Sequence, residues 1–246
     1  MTDSSPKVVG VIPARYRSTR FEGKPLAVIK DGKSMIRMVY EACRKSRRLD
    51  RVVVATDDQR IYSHVIDFGG EVVMTSEDLA TGTDRCLAAI QDVSCDIVVN
   101  IQGDEPLIDP SVIDGVVAAL ENSLDAVCAT AVCLIHDEDE IASQNTVKAV
   151  MNLKREAIYF SRSVIPFKRG KTSGYYKHIG LYAYRKNFLE KFVLLPQSSL
   201  EISESLEQLR MIENGYTIQC VPVEYDSVGV DTPLDLKRVQ DILKGS

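Results

Sequence analysis

The 246-residue sequence has only three histidines (64, 136 and 178), and its six cysteines (43, 86, 95, 128, 133 and 220) are scattered without a CxxC pair. Zinc sites need Cys and His at short fixed spacings, so this pattern argues against one. Several of the cysteines, such as Cys128 and Cys133, sit in apolar runs. They read as reduced, buried thiols of a cytoplasmic protein, not as a disulfide framework. No apolar run reaches the roughly 20 residues that span a membrane. Residues 1–7 are short and polar, unlike a secretory leader. Positive charge is not in excess: 30 Lys and Arg against 35 Asp and Glu leave a net charge of -5. That balance argues against a general nucleic-acid surface. The two common backbone phosphate loops are missing as well. There is no GxGxxG, and Gly23-Lys24 is followed by Pro25 with Ser at position 18, which breaks a GxxxxGK[ST] pattern.

What is present is an ordinary globular composition, 45% hydrophobic and 26% charged, long enough for one substantial domain with a real core. In the first half, short β-branched runs (8–13, 51–56, 71–75, 96–102) alternate with stretches of helical periodicity (35–45, 57–68, 83–92, 110–121). Such alternation predicts a parallel sheet covered by helices, with the ligand outside the carboxyl ends of the strands. The second half is richer in strands (125–133, 147–151, 157–160, 178–184). Helices are expected over 186–193, 203–214 and 232–243, and a mobile loop over 168–177. The expected fold is one α/β domain with an inserted strand-rich region.

At the carboxyl end of the first run stands PARYRSTRFEGKP, residues 13–25, with Arg15, Arg17, Arg20 and Lys24 against one acid, Glu22. Guanidinium forks grip phosphate bidentately and lysine adds a movable point charge. The segment therefore predicts a phosphate grip built from side chains, with Gly23 giving close approach and Pro25 fixing the exit. Arg17 is expected to face solvent. Two acidic positions follow at expected strand ends: Asp104 in QGDEP and Asp231 in VGVDTP. Taken singly, the first is also a turn and the second a helix cap. If both face the basic loop, they form a carboxylate pair of the kind that holds Mg²⁺ with phosphate oxygens.

Nine segments in order carry a resemblance that covers nearly the whole chain. They are residues 13–26, VATD (54–57), GGEVVMT (69–75), TGTDR (81–85), NIQGDEP (100–106), AIYFSR (157–162), HIGLY (178–182), LEQLR (206–210) and GVDTP (229–233). Together they resemble the 3-deoxy-manno-octulosonate cytidylyltransferases, the CMP-Kdo synthetases. The resemblance implies a three-layer α/β/α, Rossmann-like fold of the nucleotide-diphospho-sugar transferase type. It also implies a single domain over 1–246, a strand-rich dimerisation insertion at about 132–185, and a homodimer. The implied reaction joins CTP to Kdo, an eight-carbon acidic sugar, with Mg²⁺ as cofactor, and supplies lipopolysaccharide inner-core synthesis.

By the same resemblance, Arg15 and Lys24 hold the triphosphate, with Lys24 nearest the α-phosphate. Ala14, Ser18 and Thr19 complete that loop. Ala55, Thr56, Asp57, Gly82, Thr83 and Arg85 line the cytidine pocket. Gln102, Arg162, His178, Tyr182, Glu207 and Gln208 hold the sugar, and Asp104 and Asp231 hold the metal. The chain departs from the family at Phe21-Glu22, where many members carry Pro before the Gly, and in a shorter 167–177 segment. Other readings stay open on the residues alone: another acidic sugar as substrate, a non-catalytic nucleotide-binding module, or a glycosyltransferase, although Thr56-Asp57-Asp58 does not supply a DxD motif.

Overall fold

A computed structural model of the chain describes residues 6–171 and 174–245. The described residues divide into two compact units, one running to Asp114 and resuming at Ser227, the other Gly115–Asp226. The first unit begins with β1 (Val8–Ala14), β2 (Val28–Lys30), β3 (Lys33–Ser34) and α1 (Met35–Cys43). It continues with β4 (Arg51–Thr56), α2 (Gln59–Asp67), β5 (Val72–Met74), α3 (Gly82–Ala89) and β6 (Ile97–Asn100). Helix α4 (Pro110–Asn122) carries the chain out of it.

Strand order is β6-β1-β4-β5, all parallel, with Val11 opposite Val53 and Asn100, and Ala14 opposite Thr56. Val11, Ile12, Val54, Val98 and Val99 have no exposed surface. Strands buried on both faces read as continuous β-branched runs, and each such side chain contributes roughly 1.5–3 kcal/mol. Helix α1 starts at Ser34, whose hydroxyl accepts from the Arg37 amide, and buries Met35, Ile36, Val39, Tyr40 and Cys43 as one stripe.

The second unit holds β7 (Ala126–Ile135), α5 (Glu138–Ala142), β8 (Lys148–Met151), β9 (Ala157–Ser161) and β10 (Tyr175–Arg185). Then come α6 (Lys186–Phe192), α7 (Ser199–Glu204), α8 (Leu209–Glu213) and β11 (Thr217–Val223). Strand β10 runs antiparallel to β7 and β8, β9 antiparallel to β8, and β11 parallel to β7. Helix α9 (Pro233–Lys244) returns to the first unit. There Val239 and Val230 pack with Ile29 and Met35, tying the C-terminus to the β2–β3 hairpin and α1.

The strand runs and most helices fall where the sequence places them, and the α/β class is as expected. Five details differ. Residues 203–214 are not one helix: Ser205 ends α7 in the left-handed region (φ 53°), and α8 starts afresh after Gln208. Strand β11, the β2–β3 hairpin and the short helix α5 are not among the expected elements; Pro222 in β11 masks the strand pattern. Strand β10 begins at Tyr175, so the end of the loop expected over 168–177 is ladder; Thr172 and Ser173 lie outside the described residues. The strand expected to end at Asp231 is absent: residues 227–231 are extended without a ladder. Finally, Asp231 is not the helix cap. Thr232 is, closing a capping box with Asp235. All six cysteines are free, and all but Cys95 are buried.

Candidate active site

The basic segment after β1 is a closed loop. Gly23 sits at φ 70° and donates its amide to the Tyr16 carbonyl at 2.9 Å. A Cβ on Gly23 would lie 3.1 Å from the Tyr16 ring, so both the backbone angle and the space call for glycine. Over that ring lies the Arg60 guanidinium, 3.2 Å from the centroid, which Asp58 grips through two hydrogen bonds of 2.9 and 2.7 Å. Those bonds hold the Asp58 carboxyl below the usual range. Tyr16, Asp58 and Arg60 thus brace the loop. No local motif in the sequence marks the contact between residues 16 and 60.

The loop delivers Lys24 to the acidic pair. Its ammonium lies 2.8 Å from Asp104 Oδ2 and 3.3 Å from Asp231 Oδ1, and Arg20 reaches Asp231 at 3.2 Å. The two aspartates meet because the Val230 amide donates to the Asp104 carbonyl at 2.9 Å, pinning the 227–231 segment beside the turn after β6. Since Thr232 does the capping, the Asp231 carboxylate is left for the basic cluster. Gly103 is forced by close approach: a Cβ there would stand 2.8 Å from the Pro13 carbonyl oxygen. Among the described residues no group of three or more His, Cys, Asp or Glu converges as a metal cage. Two carboxylates that already share one cation suit an ion completing its shell with phosphate oxygens and water, as Mg²⁺ does.

A cavity of about 410 Å³ opens at this end of the sheet, lined by residues 13–15, 17–20, 24–25 and 102–104. Of the residues expected at CTP, Ala14, Arg15, Ser18, Thr19 and Lys24 line it, as do Gln102 and Asp104. Arg17 is exposed at its rim. Arg15 donates to the Leu79 carbonyl and comes within 4.0 Å of Asp57. Ala55, Thr56 and Asp57 stand at the end of β4, where Ala55 and Thr56 are buried. Arg85 is fully buried and is taken up by Asp57 (2.6 Å) and by Thr75. Burial lowers its pKa despite Asp57. Its guanidinium donates to Asp57 and Thr75 within the protein. Gly82 and Thr83 open α3, capped by Thr81 and Asp84 and not by Thr83.

In the second unit, His178 and Tyr182 share one face of β10, their rings 5.2 Å apart, across a bulge between Ile179 and Tyr182. Thr130 fills that bulge. Its hydroxyl proton serves the Leu181 (2.8 Å) or Ile179 (3.1 Å) carbonyl, so the His178 Nε2 at 3.0 Å is left to donate to the Thr130 oxygen. Burial pushes the His178 pKa down to about 3 and holds it neutral. Burial also raises the Tyr182 pKa well above its ordinary value. Glu207, expected on a helix, lies in the 205–208 link between α7 and α8, 3.8 Å from Arg210. Gln208 is 4% exposed, and its Nε2 finds no hydrogen-bond partner among the described residues. Arg162 is held through both backbone and side chain by the α7 end, Glu204, and by the Gln144 carbonyl.

The chain resembles known proteins over nearly its whole length. Residues 9–218 match the family described as Cytidylyltransferase. The 3-deoxy-manno-octulosonate cytidylyltransferase of Solibacter usitatus is 48% identical over 98% of this chain and 96% of its own length. That of Phocaeicola vulgatus is 49% identical over 97% and 98%. A solved structure described as CMP:2-keto-3-deoxy-manno-octonic acid synthetase complexed with CTP superposes with a TM-score of 0.93. It is 41% identical, covering 97% of this chain and 99% of that one.

Proposed function

The chain belongs to the 3-deoxy-manno-octulosonate cytidylyltransferase family, and from that premise we propose that it makes CMP-Kdo and pyrophosphate from CTP and Kdo. The observation that carries the reading is the convergence of Lys24, Asp104 and Asp231 beside a basic cavity. The C2 hydroxyl of Kdo gives up its proton to solvent, and its oxygen bonds to the α-phosphorus of CTP. The bond from that phosphorus to the bridging oxygen breaks, and pyrophosphate leaves with the electron pair. Arg15 and the loop hydroxyls of Ser18 and Thr19 orient the triphosphate. Lys24 swings from its carboxylates to the α-phosphate, where negative charge grows in the transition state. Mg²⁺ held by Asp104 and Asp231 would neutralise phosphate charge and lower the pKa of the attacking hydroxyl.

Of the residues assigned to the sugar, Gln102 belongs to the first unit. Arg162, His178, Tyr182, Glu207 and Gln208 belong to the second, where Arg162 matches the sugar's carboxylate. CMP-Kdo so formed feeds the lipopolysaccharide inner core. The enzyme works in the cytoplasm as a homodimer, with the strand-rich 132–185 segment as its interface. No helix among the described residues is long and apolar enough to cross a membrane.

Pyrophosphate release tests the reaction. Release that requires CTP and Kdo together and stops with EDTA is expected. Release with a different acidic sugar but not with Kdo moves the substrate. CTP binding without release on any sugar overturns the catalytic reading.

A further inference from the structure

Lys148 on β8 is wholly buried, yet the partners of its ammonium are three backbone carbonyls, those of Ser143, Thr146 and Arg162, each at 2.7 Å. Burial and the neighbouring Arg162 charge hold its pKa below that of an ordinary lysine. A buried cation is costly unless its hydrogen bonds are complete. Here all three protons are used, and all three acceptors bear on one residue. Ser143 and Thr146 bracket Gln144, whose carbonyl accepts from Arg162 Nη1 at 3.1 Å. The third acceptor is Arg162's own carbonyl.

Glu204 also holds Arg162. Its carboxylate accepts from the Ser161 hydroxyl (2.5 Å) and the Arg162 amide (3.0 Å), and its carbonyl accepts from Arg162 Nε (3.0 Å). Of the five guanidinium donors, one on Nε and one on Nη1 are thereby spent. Those that remain are all on the two terminal nitrogens, where a carboxylate docks side by side.

We infer that Lys148 and Glu204 are positioning residues that aim the free edge of the Arg162 guanidinium at the carboxylate of the acidic sugar. Neither side chain touches the sugar. They fix the turn at 143–146 and the end of α7 against Arg162, so that its grip is set before the substrate arrives. The inference rests on the reading that Arg162 binds that carboxylate.

Steady-state pyrophosphate release on the full chain tests it, with Kdo and CTP varied separately. Lys148→Met keeps the length of the side chain and removes the three donors. It is expected to raise KM for Kdo about 10- to 100-fold, the scale of a substrate grip displaced by an ångström, while KM for CTP stays within about twofold. Glu204→Gln, a milder change at a part-buried position, is expected to act in the same direction, and decides the matter if Lys148→Met does not fold. In an Arg162→Ala background neither change should add to the Kdo KM, an outcome that a merely structural role does not give. If Arg162→Ala leaves the Kdo KM unmoved, the reading of Arg162 itself fails. If Arg162→Ala raises it but folded Lys148→Met and Glu204→Gln do not, the reading stands and the positioning role is wrong.

Discussion

Replacing Lys24 by methionine is expected to move two properties in opposite directions. In the structure the Lys24 ammonium bridges Asp104 and Asp231 at 2.8 and 3.3 Å, with side-chain exposures of 15%, 31% and 49% in that order. An exposed ion pair contributes only about 0.2–1 kcal/mol, whereas a hydrogen bond to a charged partner contributes about 1.5–3 kcal/mol. Asp231 is half-exposed, so its share is discounted for screening. The bridge then comes to about 1.5–2 kcal/mol. A divalent ion entering between the two carboxylates has to displace the ammonium first. Removing lysine should therefore tighten binding of the metal alone by roughly 10- to 30-fold, since each 1.4 kcal/mol is tenfold. Turnover should fall roughly 100- to 1,000-fold, because a preorganised donor to the developing phosphate charge is gone.

The assay is titration of the nucleotide-free protein with Mn²⁺, following the free ion by electron paramagnetic resonance, beside pyrophosphate release. Asp104→Asn serves as control and should weaken metal binding and turnover together. Metal affinity that is unchanged or weaker in Lys24→Met would refute the idea that ammonium and metal compete for one place. A destabilised fold cannot mimic the expected result, since it would weaken both properties.

Two further outcomes follow from the packing. Gly103→Ala puts a methyl 2.8 Å from the Pro13 carbonyl, so the turn after β6 has to shift at a cost of about 1–3 kcal/mol. Tm should drop by roughly 2–12 °C, and an unchanged Tm would show that the turn gives way freely. His178 has a folded pKa of about 3 against about 6.5 unfolded, so between those values the unfolded chain binds the extra proton. Its contribution is complete above about pH 6.5 and is lost as pH falls towards 3, with a slope of at most about 1.4 kcal/mol per pH unit. Denaturant midpoints from pH 7 to 4 should fall less steeply in His178→Gln than in the parent, and parallel curves would remove His178 as the source.

The contrast between Lys24 and Lys148 shows which parts of such a site a sequence reveals. Lys24 was legible because its partners, 80 and 207 residues away, are themselves side chains of restricted type. A cation after β1 and an aspartate after β6 imply a common site once those strands are parallel neighbours, whereas Asp231 follows no strand and joins them through an extended segment. The Asp104–Asp231 contact depends on a backbone bond from Val230, which any residue except proline can make. The resemblance puts Arg85 in the lining of the cytidine pocket. Its actual partners, Asp57 and Thr75, stand at the ends of neighbouring strands, and only the β4–β5 register puts them together.

Lys148 lies at the illegible extreme. A lysine in a strand is usually solvated, and its three partners are carbonyl oxygens, which carry no residue identity. The same holds for the break at Ser205, which ends α7 where Glu204 reaches Arg162. Groups that face the substrate leave a trace in residue type at both ends of the contact. Groups that hold them in place through the backbone leave a trace at one end only, and become visible once the fold has closed around them.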